Sequence, residues 1–249
     1  VVPSLTRFAS RLGGSWDAAE RWLLPGECLV CQQRVGPQDH LICPVCRSRW
    51  LPVPTPQCDR CGQPVESGRA CRVCPDWPAG FGAVSSAVWL DDAARRVVHL
   101  LKYRGWQRVA DSLATRMVGL AAVRPGAVLV PIPLGRSRLK ERGYNQSARI
   151  ARALAGMAGA RVDEGLLARV RETASQTALT PDQREANLRR AFAAAGPLPE
   201  RIVLVDDVFT TGATLVSAAK SLLERGVAAV SAVTFARAEL PLAAIGRMV

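Results

Sequence analysis

The sequence predicts a doubly wound, mostly parallel α/β domain preceded by a small zinc-binding module with four-cysteine sites, and three observations predict it. All eight cysteines fall between positions 28 and 74, grouped as four Cys-x-x-Cys doublets. After Gly82, short apolar runs alternate with stretches whose apolar residues recur at helical spacing, the pattern of strands alternating with helices. Within residues 202–214, an apolar run meets two adjacent aspartates, then a Thr/Gly loop, then another helical stretch.

The elements follow in order. Residues 16–24 carry Trp16, Ala19 and Leu23 on one face with Glu20 and Arg21 between them, and Pro25 stops the segment, so a short amphipathic helix is expected ahead of the cysteines. Leu-Pro-Val-Pro-Thr-Pro at 51–56 is a Pro-rich spacer between two cysteine halves. Pro and Gly cluster again from 75 to 82, which places the domain boundary there: 1–78 for the helix and double zinc-ribbon module, 82–249 for the α/β domain. Residues 83–90 read as a strand, and Ala94, Val97, Val98 and Leu101 then mark one helical face. Val109, Leu113, Met117 and Leu120 carry a second helix over 107–123. Residues 127–132 read as a buried strand, 144–158 as a helix and 161–167 as a short strand. Residues 201–206 form another buried strand, followed by a helix over 213–225 with Gly226 as its C-cap. Residues 228–235 close the sheet.

The doublets Cys28/Cys31, Cys43/Cys46, Cys58/Cys61 and Cys71/Cys74 have metal-ligand spacing. A Cys-x-x-Cys turn lets two thiolates reach one ion at about 2.3 Å, and two turns complete a tetrahedron. Eight thiolates therefore imply two structural zinc sites, with sequential pairing favoured over cross-bracing because the connecting loops are short. A disulfide scaffold fits less well, since the doublets favour metal and the N-terminal stretch lacks the apolar core of a signal peptide. A redox role needs fewer copies. Chelation is expected to unfold 28–74 and leave the rest folded. Gly62 sits where a knuckle turn favours positive φ.

The net charge of +12 calls for an anionic partner: nucleic acid, a phosphorylated metabolite or an acidic protein surface. Arginines spread over solvated faces account for part of it. No apolar run approaches the ~20 residues of a membrane span, and the cytoplasm is the expected location.

Asp206 and Asp207 fall at the carboxyl end of their strand, where open α/β sheets bind ligands. Thr210, Thr211, Gly212 and Thr214 follow, at the start of a helix. Small residues there let backbone N–H groups close on a phosphate, helped by hydroxyl donors and the helix dipole. Adjacent carboxylates repel a bare phosphate, so they belong opposite sugar hydroxyls, with a cation nearby. Neither a Walker loop nor a dinucleotide fingerprint is present.

This string resembles the 5-phosphoribosyl-1-diphosphate motif of the type I phosphoribosyltransferases. The resemblance implies that Asp206 and Asp207, as the catalytic pair, contact the ribose 2′ and 3′ hydroxyls, and that Val208, Phe209, Thr210, Thr211, Gly212, Ala213 and Thr214 hold the 5′-phosphate. It also implies Mg²⁺, and a pyrophosphate-contacting loop from Pro131, Ile132 and Pro133 to Arg136. Further pieces are similar to the ComF family of competence-type proteins: the cysteine doublets, Leu-Lys-Tyr-Arg-Gly at 101–105, Val-Pro-Ile-Pro-Leu at 130–134, Arg-Gly-Tyr-Asn-Gln at 142–146, and Gln176, Arg184, Asn187 and Phe192. Tyr144 departs from the more usual Phe. Lys102 and Arg142 are further basic candidates, although a helix-dipole role or a solvated position explains each equally well. Residues 169–190 read as a hood over the site.

Two functions compete. One is transfer of phosphoribose to a base or amine with release of pyrophosphate. The other is a non-catalytic module binding a nucleotide or single-stranded DNA, with DNA-uptake proteins as partners; the ComF resemblance implies such a role in natural transformation. The low Phe and Tyr content argues against extended base stacking.

Overall fold

The computed structural model describes residues 26–36, 41–66, 69–171 and 191–239. The expected helix at 16–24 and most of the expected hood lie outside them. The chain divides into two compact units, Val1–Arg49 and Trp50–Val249, so the second cysteine cluster belongs with the sheet. The boundary expected between 78 and 82 falls inside the second unit.

In the first unit, α1 (Pro44–Ser48) is a single turn started by Pro44, with the Cys43 sulfur accepting the Cys46 N–H at its N-cap. In the second, the elements in chain order are β1 (Phe81–Trp89), α2 (Asp92–Tyr103), α3 (Val109–Met117), β2 (Val128–Pro131), α4 (Arg136–Arg142), α5 (Gln146–Ala158), β3 (Arg161–Val162), β4 (Leu167–Arg169), β5 (Phe192–Ala194), β6 (Arg201–Phe209), α6 (Ala213–Leu223) and β7 (Ala229–Arg237). The main sheet has the order β1-β7-β6-β2-β3, and every pairing in it is parallel. This is the predicted α/β architecture. Parallel strands covered on both faces need continuous apolar runs. β2 is accordingly buried at all four positions, and Ile202, Val203, Leu204 and Val205 of β6 are all buried.

The helices form where capping and apolar spacing agree. Asp91 caps α2, its carboxylate accepting the Ala94 N–H at 2.8 Å, and Ala94, Val97, Val98 and Leu101 turn inward. Asn145 caps α5 by accepting the Ser147 N–H at 3.0 Å. Helix α3 stops at Met117, short of the expected 123 and two residues before Gly119, a poor helix former. Helix α6 ends at Leu223 with Glu224 as C-cap, which corrects the expectation for Gly226; that glycine lies two residues further on, at φ 94°. The segment read as one strand over 161–167 is two: β3 joins the main sheet, and β4 pairs antiparallel with β5. No described helix is long and apolar enough to cross a membrane.

The second cysteine cluster shares a core with the sheet. Cys61, Val73, Cys74 and Trp77 pack in one apolar cluster with Phe81, Val84, Ile202, Leu204, Phe209 and Leu215. The Arg60 guanidinium ties this together by donating to the carbonyls of Cys74, Trp77, Pro78 and Phe81.

Candidate functional site

The site is built at the carboxyl end of the sheet. β6 runs through Asp206 and Asp207 to Phe209, beyond the end of the apolar run, because its ladder with β7 continues through Asp206–Thr234, Val208–Ala236 and Phe209–Arg237. Both carboxylates are therefore fixed within a central strand instead of trailing from it. The Asp206 Oδ1 accepts from the Ser147 hydroxyl at 2.8 Å and from the Asp207 N–H at 2.9 Å. The Asp207 Oδ1 meets Lys102 Nζ at 2.9 Å. Asp207 is only 3% exposed, yet among the described residues its Oδ2 has no hydrogen-bond partner. Burial, and then the charge of Asp207, push the Asp206 carboxyl above the usual carboxylate range, against the pull of Lys102 and Ser147. A second cation or a hydroxyl donor at this pair would satisfy the orphaned oxygen and relieve the repulsion.

The elements around the pair hold its partners in place. Lys102 stands in the last turn of α2, and the Tyr144 hydroxyl donates to the carbonyl of Leu101 beside it. Ser147 stands in the first turn of α5, whose cap, Asn145, donates at 3.0 Å to the carbonyl of Ile132. That bond ties α5 to the turn after β2. Ile132 also donates its N–H to the carbonyl of Val205 at 2.9 Å, so residues 131–133 lie beside β6. Pro131 and Ile132 are buried and Pro133 is partly so; with two prolines and the Ile132 N–H and carbonyl already engaged, these three residues shape the edge of the site and have no free N–H to give a ligand.

Residues 210–212 carry the chain from β6 to α6. Thr210 and Thr211 are exposed, while Ala213 and Thr214 are partly accessible. Gly212 adopts φ 80° and supplies no side-chain cap to α6; the Ala213 N–H donates to the Thr211 hydroxyl at 3.4 Å. A Cβ at Gly212 would come within 2.9 Å of the Phe209 ring and 3.0 Å of Trp77. Glycine is thus required twice over, by conformation and by space. Val208 is partly buried, and Phe209 is 1% exposed, a floor beneath the loop. Arg136 stands exposed in the first turn of α4. Arg142 is occupied otherwise: it donates to Gln146 at 2.9 Å and its guanidinium lies 5.0 Å from the centre of the Tyr103 ring.

Four of the residues singled out from sequence, Asp206, Asp207, Lys102 and Ile132, are thus brought together directly or through Ser147 and Asn145. Those two were not singled out as site residues. Only the cap pattern Asn-x-Ser ahead of an apolar helix signals them, and it says nothing about a partner on β6.

The cysteines form two sequential sets, Cys28/Cys31/Cys43/Cys46 and Cys58/Cys61/Cys71/Cys74, with the sulfurs of each set within 4.8 Å of one another. Separations of 3.7 Å for Cys31–Cys43, 3.6 Å for Cys58–Cys74 and 3.5 Å for Cys61–Cys71 are far beyond a disulfide bond. They match the edges, about 3.8 Å, of a tetrahedron with metal–sulfur bonds of about 2.3 Å. Thiols this close resist joint ionisation: burial first, and then the sulfurs of Cys31, Cys43 and Cys28, push Cys46 up, and burial leads the rise at Cys61. Burial also pushes Cys28 up, but backbone N–H donors, Cys43 first, outweigh it and bring that thiol to about 7. A dication at the centre reverses the penalty, so both sets fit structural zinc. The knuckles turn through positive φ at Gln32 (60°) and Gly62 (69°). At position 62 a Cβ would strike the Val84 carbonyl at 2.8 Å, which explains glycine there.

Comparison with known proteins agrees with this layout. The double zinc ribbon domain family matches residues 19–75. The DNA utilization protein YhgH of Salmonella typhimurium is 32% identical over 216 residues, 83% of this chain and 95% of that protein. Competence protein ComFC of Bacillus subtilis is 29% identical over 234 residues, 84% of this chain and 94% of its own. Competence protein F of Haemophilus influenzae is 32% identical over 154 residues, 60% of this chain and 62% of its own. With a parallel α/β sheet, two four-cysteine sites and this degree of identity over most of the chain, the protein belongs to the ComF family of competence and DNA-utilization proteins.

Proposed function

We propose that the carboxyl end of the sheet binds 5-phosphoribosyl-1-diphosphate with Mg²⁺ and transfers its phosphoribosyl group to a base or amine. The observation that carries this reading is the Asp206–Asp207 pair, held in a central strand with one buried oxygen unpartnered and followed without interruption by the Thr/Gly turn into α6. In this reading the two carboxylates fix the ribose hydroxyls. The hydroxyls of Thr210, Thr211 and Thr214 and the N–H groups at the start of α6 hold the 5′-phosphate. The residues from Pro131 to Arg136, with the exposed basic face of α4, line the pyrophosphate side. Mg²⁺, when bound, neutralises charge on the diphosphate.

The nucleophile's lone pair forms a bond to the anomeric carbon as the carbon–oxygen bond to pyrophosphate breaks. The bonding electrons leave with pyrophosphate, and the nucleophile's proton passes to solvent. The anomeric carbon gains cationic character on the way, and the neighbouring carboxylates stabilise it. Calorimetric titration with 5-phosphoribosyl-1-diphosphate and Mg²⁺ tests the site. Saturable binding by wild type, lost in Asp206→Asn/Asp207→Asn, is expected. No binding by folded, zinc-loaded wild type overturns it.

Exposed aromatic side chains favour a second reading. Tyr103 is 57% exposed and Trp106 44%, and they stand among Arg104, Arg108 and Arg142. Exposed rings among arginines form a stacking surface for single-stranded nucleic acid, worth about 1–3 kcal/mol per stacked base. This answers the objection from composition, since two well-placed rings suffice. Binding of a labelled oligonucleotide should weaken with salt, fall in Tyr103→Ala/Trp106→Ala and survive the double aspartate variant. The cytoplasm is the location either reading requires.

A further inference from the structure

We propose that Arg237 is a positioning residue that couples the metal site at Cys58, Cys61, Cys71 and Cys74 to the turn at 210–212. Arg237 ends β7, in register with Phe209 of β6 and Trp89 of β1, and is fully buried at 0% exposure. A buried guanidinium is costly unless its charge is met. Among the described residues no carboxylate pairs with it. Its Nη2 donates instead to the carbonyl of Cys61, its Nη1 to Gln63 Oε1 at 3.3 Å, and its Nε has no partner. Four thiolates around one dication leave a net negative charge, and the Cys61 carbonyl belongs to that cluster's own knuckle. The metal-loaded cluster is thus the counter-charge for Arg237.

The other face of the guanidinium lies 3.8 Å from the centre of the Phe209 ring. Phe209 and Trp77 are the surfaces that a Cβ on Gly212 would strike, so they are the floor of the turn. Trp77 is also held by the cluster. It follows Cys74 by three residues, stacks on Phe81 at 4.9 Å, and its carbonyl accepts from Arg60, which lies between Cys58 and Cys61. Both halves of the floor therefore depend on one metal site. The first cluster belongs to the other compact unit. Loss of metal from the second cluster alone should leave Arg237 buried without counter-charge and loosen the turn.

The loop end of this inference rests on the phosphoribosyl-diphosphate reading; the coupling itself does not. The test therefore reads backbone hydrogen exchange over 207–216 in the zinc-loaded full chain, beside the zinc content and the calorimetric titration with 5-phosphoribosyl-1-diphosphate and Mg²⁺. Arg237→Met should keep two zinc ions yet speed exchange in that segment by roughly tenfold, the change that about 1.4 kcal/mol brings. Arg237→Lys, which keeps the charge, should recover part of the protection. Cys58→Ser/Cys61→Ser should speed exchange there, and Cys28→Ser/Cys31→Ser should not. If wild type binds no 5-phosphoribosyl-1-diphosphate, the functional reading fails while the exchange result still decides the coupling. Unchanged exchange in Arg237→Met, the same effect from either cluster, or faster exchange across the whole sheet in both Arg237 variants would overturn it.

Discussion

Removing the cation that faces Asp207 probes the candidate site without touching its carboxylates. In Lys102→Met the stem of the side chain is kept and the ammonium is lost. The pair is close, 2.9 Å, and largely desolvated, with the lysine side chain 21% and the aspartate 4% exposed. At an effective dielectric of about 20, Coulomb's law gives about 6 kcal/mol for charges at that separation. The lysine's access to water and the relief of its own desolvation offset about half of this, leaving an expected loss of about 3 kcal/mol, at the lower end of what breaking a buried pair costs. Urea unfolding of the zinc-loaded protein at neutral pH measures it. Asp207→Asn and the double variant complete a cycle, whose coupling energy should be about 2 kcal/mol. A Lys102→Met loss below about 1 kcal/mol, or a coupling near zero, would show the pair screened like a surface contact. The carboxylate pair would then sit in a solvent-screened setting and not in a preformed, low-dielectric one.

Stability should also depend on pH through Asp206. Its folded-state value lies above the usual carboxylate range, first through burial and then through Asp207, so the folded state holds its proton more tightly than the unfolded chain does. The contribution is therefore complete below the ordinary carboxylate range and is lost as pH rises through the raised value; urea midpoints should fall over that window, and Asp206→Asn should flatten the fall. Gly212→Ala should cost about 2–4 kcal/mol, from left-handed backbone strain of about 1–2 kcal/mol and overpacking against Phe209 and Trp77; a loss under about 1 kcal/mol by urea unfolding would mean that the turn yields easily. Metal removal by a strong chelator should destabilise the sheet as well as the cysteine segments, in place of the separate unfolding of 28–74 expected from sequence, because Cys61 and Cys74 share the core of Phe81 and Leu204; an unchanged thermal transition for the sheet would argue against that shared core.

The fold was legible where periodicity and caps agreed. The helical face of α2, the buried run of β6 and the Asn145 cap of α5 each follow from a few residues. The end of β6 was not legible, because Asp206 and Asp207 interrupt its apolar run and its continuation through Val208 and Phe209 shows only in the ladder with β7. The β4–β5 pair was hidden for a related reason: Leu167 and Phe192 are far apart in sequence, and each strand is too short to show a period. Asp206 and Asp207 stood out because paired acids ahead of a Thr/Gly turn are chemically distinctive. Ser147 did not, since a serine in the first turn of a helix reads first as a cap or solvent contact. Arg237 was equally silent, because a lone arginine after an apolar strand gives no hint that its partners are the carbonyl of Cys61 and the ring of Phe209.

The two functional readings make different demands on the same edge of the sheet. A surface that only holds nucleic acid needs exposed cations and rings, and residues 102–108 supply them. It gains nothing from two adjacent carboxylates in the central strand. Such a pair repels phosphate, and keeping Asp207 buried with an unpartnered oxygen works against folding. The surrounding structure nevertheless fixes it from several directions, through Lys102, Ser147 and the β7 ladder. Strain held in place this way is expected where a ligand relieves it. On the proposed reading, a sugar bearing adjacent hydroxyls at the two carboxylates, with a phosphate on the next turn, would relieve it. For this reason the carboxylate pair weighs more heavily than the net positive charge in deciding what the sheet edge binds. The exposed rings of Tyr103 and Trp106 then read as a neighbouring surface and not as a rival use of the same atoms.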